Sequence, residues 1–207
     1  MNAQGIENAA RQDIFPRLAR DLEGLAAPLE QIAEPYRSAG RLLADWIAER
    51  YRPGELLPVV VVCTGNSRRS MLGAMMGNAA AAYHDLPEVR FFSAGTMPSA
   101  FNPRTVAALN AVGFAVQPTG DEAPRSSPGL PNPRYRVRWG TGEGQGLVEF
   151  SKALGDAALP ASGFAAVMVC DEADAGCPVV LGAACRISMP LPDPKAADDT
   201  PEEGARY

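Results

Sequence analysis

The chain has 207 residues, 46% of them hydrophobic and 21% charged, a balance that suits one globular domain with an appendage or long insertions. Its formal net charge of −5 leaves no basic field to attract nucleic acid or an anionic membrane surface. No apolar run approaches the roughly 18 residues of a membrane span. The opening MNAQGIENAARQD lacks the basic start and apolar stretch of a signal peptide, so a cytoplasmic location is expected. There the four cysteines would remain free thiols rather than two disulfides.

Residues 14–51 read as helix, with Leu18, Leu22, Leu25, Leu29 and Ile32 at helical spacing and a second apolar set at Leu42, Leu43, Trp46 and Ile47. Pro28 and Pro35 mark starts or kinks. This helical extension, residues 1–54, carries no reactive constellation and reads as a hairpin covering part of the core or a partner. The domain proper runs from 55 to 207.

It opens with Leu56–Val62, a continuous apolar, β-branched run typical of a strand buried on both faces in a parallel sheet. A helix over 70–83, a strand Val89–Phe92 and a helix from Pro103 to about Val112, capped by Asn102, follow. Phe164–Val169 and Arg186–Met189 read as two further strands. Strands alternating with helices predict an α/β fold, whose functional groups collect beyond the carboxyl ends of the strands. Cys63 and Cys170 both fall at such ends. Residues 117–162, rich in Pro and Gly, interrupt the alternation as an insertion. Within it YRVRW (135–139) and LVEF (147–150) predict a β-hairpin, with Arg134, Arg136 and Arg138 on one, mainly solvated, face.

The chemistry concentrates in CTGNSRRS, residues 63–70. A strand that enters a helix through small polar residues gathers backbone N–H groups around one point, and the helix dipole adds to them: an oxyanion cradle formed by Thr64, Gly65, Asn66, Ser67, Arg68 and Ser70. A nucleotide-binding loop would need Gly-Lys-Ser/Thr here, and the chain has Arg69-Ser70. Instead the loop begins with a nucleophile. The field that draws an oxyanion also stabilises the Cys63 thiolate. Arg69 offers a planar fork matched to tetrahedral oxyanions, Gly65 and Asn66 tolerate positive φ, and Ser70 can donate to the sulfur.

Cys63-x5-Arg69-Ser70 after a buried strand resembles the loop of the low-molecular-weight protein-tyrosine-phosphatases and of the thioredoxin-coupled arsenate reductases that share their fold. FFSAGT (91–96) and Asp193-Pro194 are similar to further motifs of that family. The resemblance covers about 56–207 without the insertion. It implies a four-stranded parallel sheet flanked by helices, Cys63 as nucleophile and Asp193 as general acid. A carboxylic acid that protonates the leaving oxygen suits thiolate attack on phosphate or arsenate. Read without the loop, Asp193 would be a turn residue before proline.

VMVCDEADAGCPVV (167–180) is similar to the redox segment of the arsenate reductases, which implies a relay: Cys63 attacks arsenate, Cys170 attacks the Cys63 adduct, and Cys177 carries the disulfide to thioredoxin. Bridging Cys170 and Cys177 needs Cα atoms within about 7 Å, so DEADAG must fold back or unwind. The phosphatases of the family carry tyrosines after Asp-Pro, whereas this chain has Lys-Ala-Ala-Asp, which favours a small oxyanion. Phosphomonoester hydrolysis by Cys63, Arg69 and Asp193 is the alternative, and a non-catalytic oxyanion or redox sensor a third. Arg68 stands where the family often has cysteine. Ala74 stands where reductases often have an acidic residue linked to potassium, so no potassium site and no cofactor are expected. Cys185 reads as core, and the spacings of Cys170, Cys177 and Cys185 do not suit structural zinc. His84 reads as an exposed cap beside Asp85. Thr200-Pro201-Glu202-Glu203 reads as a helix start, after which the family continues with a full helix against the sheet. The chain would then be truncated, or its N-terminal helices would take over that surface.

Overall fold

The computed structural model describes residues 13–26, 29–126 and 129–207; Pro28 lies outside them. Helices α1 (Pro16–Ala26) and α2 (Glu34–Arg50) flank a 3-10 turn at Leu29–Gln31, and Pro35 sits in the first turn of α2. Leu18, Leu22 and Trp46 are buried, but Leu25, Leu29, Ile32 and Leu42 are exposed. The apolar stripe is therefore shorter than its spacing suggests. The helix ends at Ala26, and the turn that follows carries Leu29 away from the core.

Strand β1 (Leu57–Cys63) is buried along its whole length and leads through the 63–68 loop into α3 (Arg69–Tyr83). Next come β2 (Val89–Gly95) and α4 (Pro103–Ala111), whose cap Asn102 accepts the Arg104 N–H at 2.9 Å. After β3 (Ala115–Glu122), β4 (Pro133–Arg138) and β5 (Gly146–Glu149), the chain returns through β6 (Phe164–Met168), α5 (Asp171–Gly176) and β7 (Ala183–Ser188). A 3-10 turn at Pro194–Ala197 and the short α6 (Glu203–Arg206) close it.

The four strands β2-β1-β6-β7 form one all-parallel sheet flanked by helices, in that spatial order. Its interior strands β1 and β6 carry uninterrupted apolar sequence because both of their faces are covered. The insertion holds the expected hairpin, β4 against β5, but as part of a three-stranded antiparallel sheet. Its third strand, β3, was hidden by Pro118 and Gly120, which read as turn residues. The register between β3 and β4 shifts between Pro118 and Glu122, which lets an edge strand accept them.

One apolar core runs through all parts: Ile14, Leu18 and Trp46 from the extension, the strands β1 and β6, and Val137 and Trp139 from the insertion belong to the same buried cluster. Extension and insertion also touch directly, through Phe15 N–H to Trp139 O at 3.0 Å and Thr141 N–H to Asp13 O at 2.8 Å. Of the insertion's arginines, Arg136 is exposed, Arg138 donates to the Gly140 and Thr141 carbonyls, and the Arg134 guanidinium lies 4.3 Å over the Phe150 ring. Among the described residues, no helix is long and apolar enough to cross a membrane.

Candidate active site

Cys63 is the last residue of β1 and is buried. Its sulfur lies 3.1 Å from the Ser70 hydroxyl in the first turn of α3. Between them Asn66 takes the left-handed conformation, with φ at 41°. Gly65, expected to share that role, is not in the left-handed region. Asparagine tolerates it because its short amide bonds locally, and here both ends of the amide are engaged. Asn66 Nδ2 donates to Ser70 Oγ at 2.9 Å and to Ser93 Oγ at 2.8 Å, while Oδ1 accepts the Lys152 N–H at 2.7 Å. The amide donates to Ser70 Oγ, which leaves the Ser70 proton available to the Cys63 sulfur.

The three letters Ser-Ala-Gly ending β2 acquire separate reasons. Ser93 receives Asn66, and Ala94 is fully buried in the core. Gly95 lies under the loop: a Cβ there would come within 2.6 Å of Thr64 O and 2.8 Å of Asn66 N. The loop backbone is tied on its other side too. Thr96 N–H meets Cys63 O, Met97 N–H meets Thr64 O, and Gly65 O accepts from Ser99 N–H and Ser151 Oγ. Ser67 O takes Asn102 N–H and Thr105 Oγ1. Helix α3 starts without a side-chain cap, because Arg68 at the cap position carries no acceptor. Its first N–H groups are thus open to an anion in the loop.

The two loop arginines point to different carboxylates. Arg69 donates to Asp193 Oδ2 at 2.8 Å and to Leu191 O at 3.0 Å. The 63–70 loop and the expected general acid thus meet through this ion pair. Asp193 also caps the 3-10 turn, accepting Lys195 N–H at 3.0 Å, so the turn role and the proximity to Arg69 coexist. Arg68, expected in the cradle, reaches outward to Asp198 at 2.6 Å and to the Tyr207 hydroxyl, which itself donates to Asp198 at 2.7 Å. Arg104 binds the same acidic segment through Asp199 and Glu203. The Asp198 carboxyl is held below its ordinary range, first by the Tyr207 hydroxyl; burial pushes it up next, and the Arg68 and Arg104 charges lower it again. An apolar cavity of about 840 Å³ opens beside Arg69 and Asp193, lined by Leu72, Met76, Leu191 and Pro194 among others. Thr200 Oγ1 accepts the Glu202 N–H at 3.3 Å, as the expected cap would, although the helical turns begin only at Glu203.

Cys170 follows β6 and is fully buried, its sulfur 3.4 Å from Thr64 Oγ1. Strands β1 and β6 are direct neighbours, with Val62 opposite Met168, so both thiols stand at adjacent strand ends. Cys177 is half-buried at the far end of α5. Seven residues of helical rise put about 10 Å between the two positions, beyond disulfide reach while the helix persists. All four cysteines are free thiols, and Cys185, expected in the core, is half-buried on β7. His84 caps the end of α3, exposed, with its ring edge-on to Tyr83.

Three participants escaped the sequence. Lys152 and Glu149 lie in the insertion, far from any motif, and Tyr207 lies at the other end of the chain from the loop arginine it meets. Only Ser93 could have been found, through its place in SAG. No protein-family model matches the chain, and no curated protein matches it either.

Proposed function

We propose that the chain reduces arsenate to arsenite with the Cys63 thiolate and hands the resulting disulfide to thioredoxin, on a domain of the low-molecular-weight phosphatase type. The observation that carries this reading is the 3.4 Å contact between Thr64 Oγ1 and Cys170 Sγ, a second thiol beside the first cradle residue after the nucleophile. A hydrolase of phosphate esters has no use for it.

In this scheme the loop N–H groups and Arg69 hold the arsenate, and the Cys63 thiolate attacks arsenic. The departing oxygen takes a proton from Asp193, which must first give up its pairing with Arg69. The Cys170 thiolate then attacks the Cys63 sulfur. The As–S bond breaks, its electron pair stays on arsenic, and arsenite leaves behind a Cys63–Cys170 disulfide. Cys177 attacks Cys170 and frees Cys63, and thioredoxin reduces the Cys170–Cys177 bridge by the same exchange. The exchange needs reduced thiols at rest, which fits a cytoplasmic location.

Hydrolysis of phosphomonoesters through a phosphocysteine is the second reading. It is favoured by α5: the relay requires that helix to unwind, and hydrolysis does not. One paired assay decides. Arsenate turnover that depends on thioredoxin supports the reductase. Turnover of p-nitrophenyl phosphate, unaffected by Cys170→Ser and without arsenate turnover, supports the phosphatase. Anion binding without either activity would leave an oxyanion sensor.

A further inference from the structure

We infer that the insertion is part of the nucleophile's support: the buried ion pair of Lys152 and Glu149 is a clamp that sets the Asn66 amide and thereby directs the Ser70 proton to Cys63. The inference rests on the reading of Cys63 as a reactive thiolate. It concerns residues that the catalytic scheme itself does not use.

Lys152 and Glu149 are 4% and 2% exposed, and a charged pair at that depth is costly to bury. The Lys152 ammonium binds Glu149 Oε1 and also donates to Phe150 O at 2.9 Å; it lies 4.7 Å over the Phe150 ring. Glu149 Oε1 accepts the Phe150 N–H as well. These contacts fold 149–152 into one fixed shape. That shape presents the Lys152 N–H to Asn66 Oδ1 at 2.7 Å and the ammonium to Ser93 Oγ at 3.4 Å. The same backbone receives Gly95 N–H at Lys152 O, and Ala153 bridges Gly95 in parallel.

The consequence is directional. An amide can be turned either way, and only one way serves the sulfur. With Oδ1 committed to Lys152 N–H, both N–H bonds of Asn66 point to hydroxyl oxygens, at Ser93 and Ser70. Ser93 accepts from Asn66 and from Lys152, so its own proton goes to Met71 Sδ at 3.2 Å and does not compete for the amide. Ser70 accepts once and has its proton left for Cys63. Lys152 is therefore a positioning residue: it touches Asn66 and Ser93, not the substrate or the reacting sulfur.

The test is the pH profile of Cys63 alkylation by iodoacetamide. Cys63 is followed by peptide mapping in full-length protein at a temperature well below unfolding. In Glu149→Gln/Lys152→Met, which removes both charges together, the midpoint is expected to move to higher pH and the rate at pH 6.5 to fall at least about threefold. Lys152→Arg, which keeps the charge, should recover part of the loss. A folded double variant with the wild-type profile would overturn the clamp. Should the double replacement not fold, Ser93→Ala removes the hydroxyl that accepts from both the ammonium and the amide. It is expected to shift the profile the same way by a smaller amount, and an unchanged profile there would equally overturn the proposal. The wild type separates the two levels. If its Cys63 behaves as an ordinary thiol with no anion protection, the thiolate reading fails first. If it is reactive and the variants match it, only the clamp fails.

Discussion

Two segments leave the sheet at neighbouring strand ends, and they are held in opposite ways. In the 63–70 loop, Asn66 and Ser70 are fully buried; backbone bonds run from it to 96–102, and bonds that involve a side chain run to Ser151 and Lys152 of the insertion. The segment from Cys170 to Leu181 has a six-residue helix, most of it exposed, followed by Val179 and Leu181 with 74% and 88% of their surface in solvent. The contrast matches the two chemical tasks proposed for them. Stabilising a thiolate and a tetrahedral oxyanion needs donors fixed before the reaction. Passing a disulfide along the chain needs a backbone that can rearrange between one pairing and the next. A fixed cradle beside an exposed relay segment that can rearrange is what the reductase scheme requires. The variants below bear on one side or the other.

The largest effect is expected where the fixed side meets the anion. Arg69→Lys keeps a charge but loses the planar fork that the cradle presents, and should lower turnover about 100-fold or more, whichever substrate proves right. Circular dichroism and steady-state rates measure it. Near-normal turnover would mean that Arg69 serves only its ion pair with Asp193.

On the exposed side, Cys177→Ser can still complete the first disulfide. It should release about one arsenite per chain and stop, trapped as Cys63–Cys170. Cys170→Ser should halt one step earlier. Quantifying arsenite after mixing, with peptide mapping of the trapped bridge, reads both. Repeated turnover by Cys177→Ser would remove the relay and put the phosphatase first.

The fixed side should also resist small additions. Gly95→Ala would press a methyl group against Thr64 O and Asn66 N, both backbone atoms that cannot step aside alone. A cost of about 1–3 kcal/mol in stability is expected, with weakened protection of Cys63 by phosphate. Denaturant unfolding and anion-protected alkylation are the readouts. Wild-type values in both would show the loop to be softer than its contacts suggest.

How much of this was legible in the sequence follows the same division. The strand Leu57–Cys63, the helix after it and the order of the parallel elements are written locally, in an unbroken β-branched run and in cap residues such as Asn102. Residues 63–70 are contiguous, so the turn from β1 into α3 could be located from the sequence, but the outward course of Arg68 to Asp198 could not. Nor could the loop's support. Lys152 reaches Asn66 across 86 positions and Tyr207 reaches Arg68 across 139, and no periodicity encodes contacts that the tertiary fold creates. Leu25 and Leu29 fail in the reverse sense: their spacing is helical, but where the chain turns decides their burial, and that is not a local property.

On the relay side, Arg186 fixes the end of α5. It donates to the carbonyls of Asp174 and Cys177 and pairs with the Asp174 carboxylate. A cation on the last carbonyls of a helix stabilises it modestly, about 1 kcal/mol. Arg186→Ala should therefore speed amide exchange in 171–177 several-fold and leave 63–70 unchanged. If unwinding limits the second thiol transfer, thioredoxin-coupled turnover should rise by a similar factor. A slower relay would instead mean that the helix presents Cys177 in its working position.

The smallest effect concerns the outer edge of the cradle, where the hold is ionic rather than buried. Arg68 and Arg104 tie the 198–207 segment to the loop through Asp198, Asp199 and Glu203. The Asp198 and Glu203 carboxyls lie below their ordinary values of 3.8 and 4.5, Asp198 first through the Tyr207 hydroxyl and Glu203 first through the Asp199 N–H. A depressed carboxyl contributes stability that is present above its unfolded value and lost as pH falls through its folded one. Acid should thus release the segment only at a pH below those ordinary values, while the Asn66 and Ser70 contacts underneath persist. Added salt should weaken chiefly the Arg104–Asp199 contact at neutral pH, because Asp199 is the exposed member of the group. Hydrogen exchange of peptides 198–207 and 63–70, corrected for intrinsic rates and compared at pH 6 and pH 3.5, reads the difference. Loss of protection in both peptides together would mean that the charged tie and the buried support form a single cooperative unit.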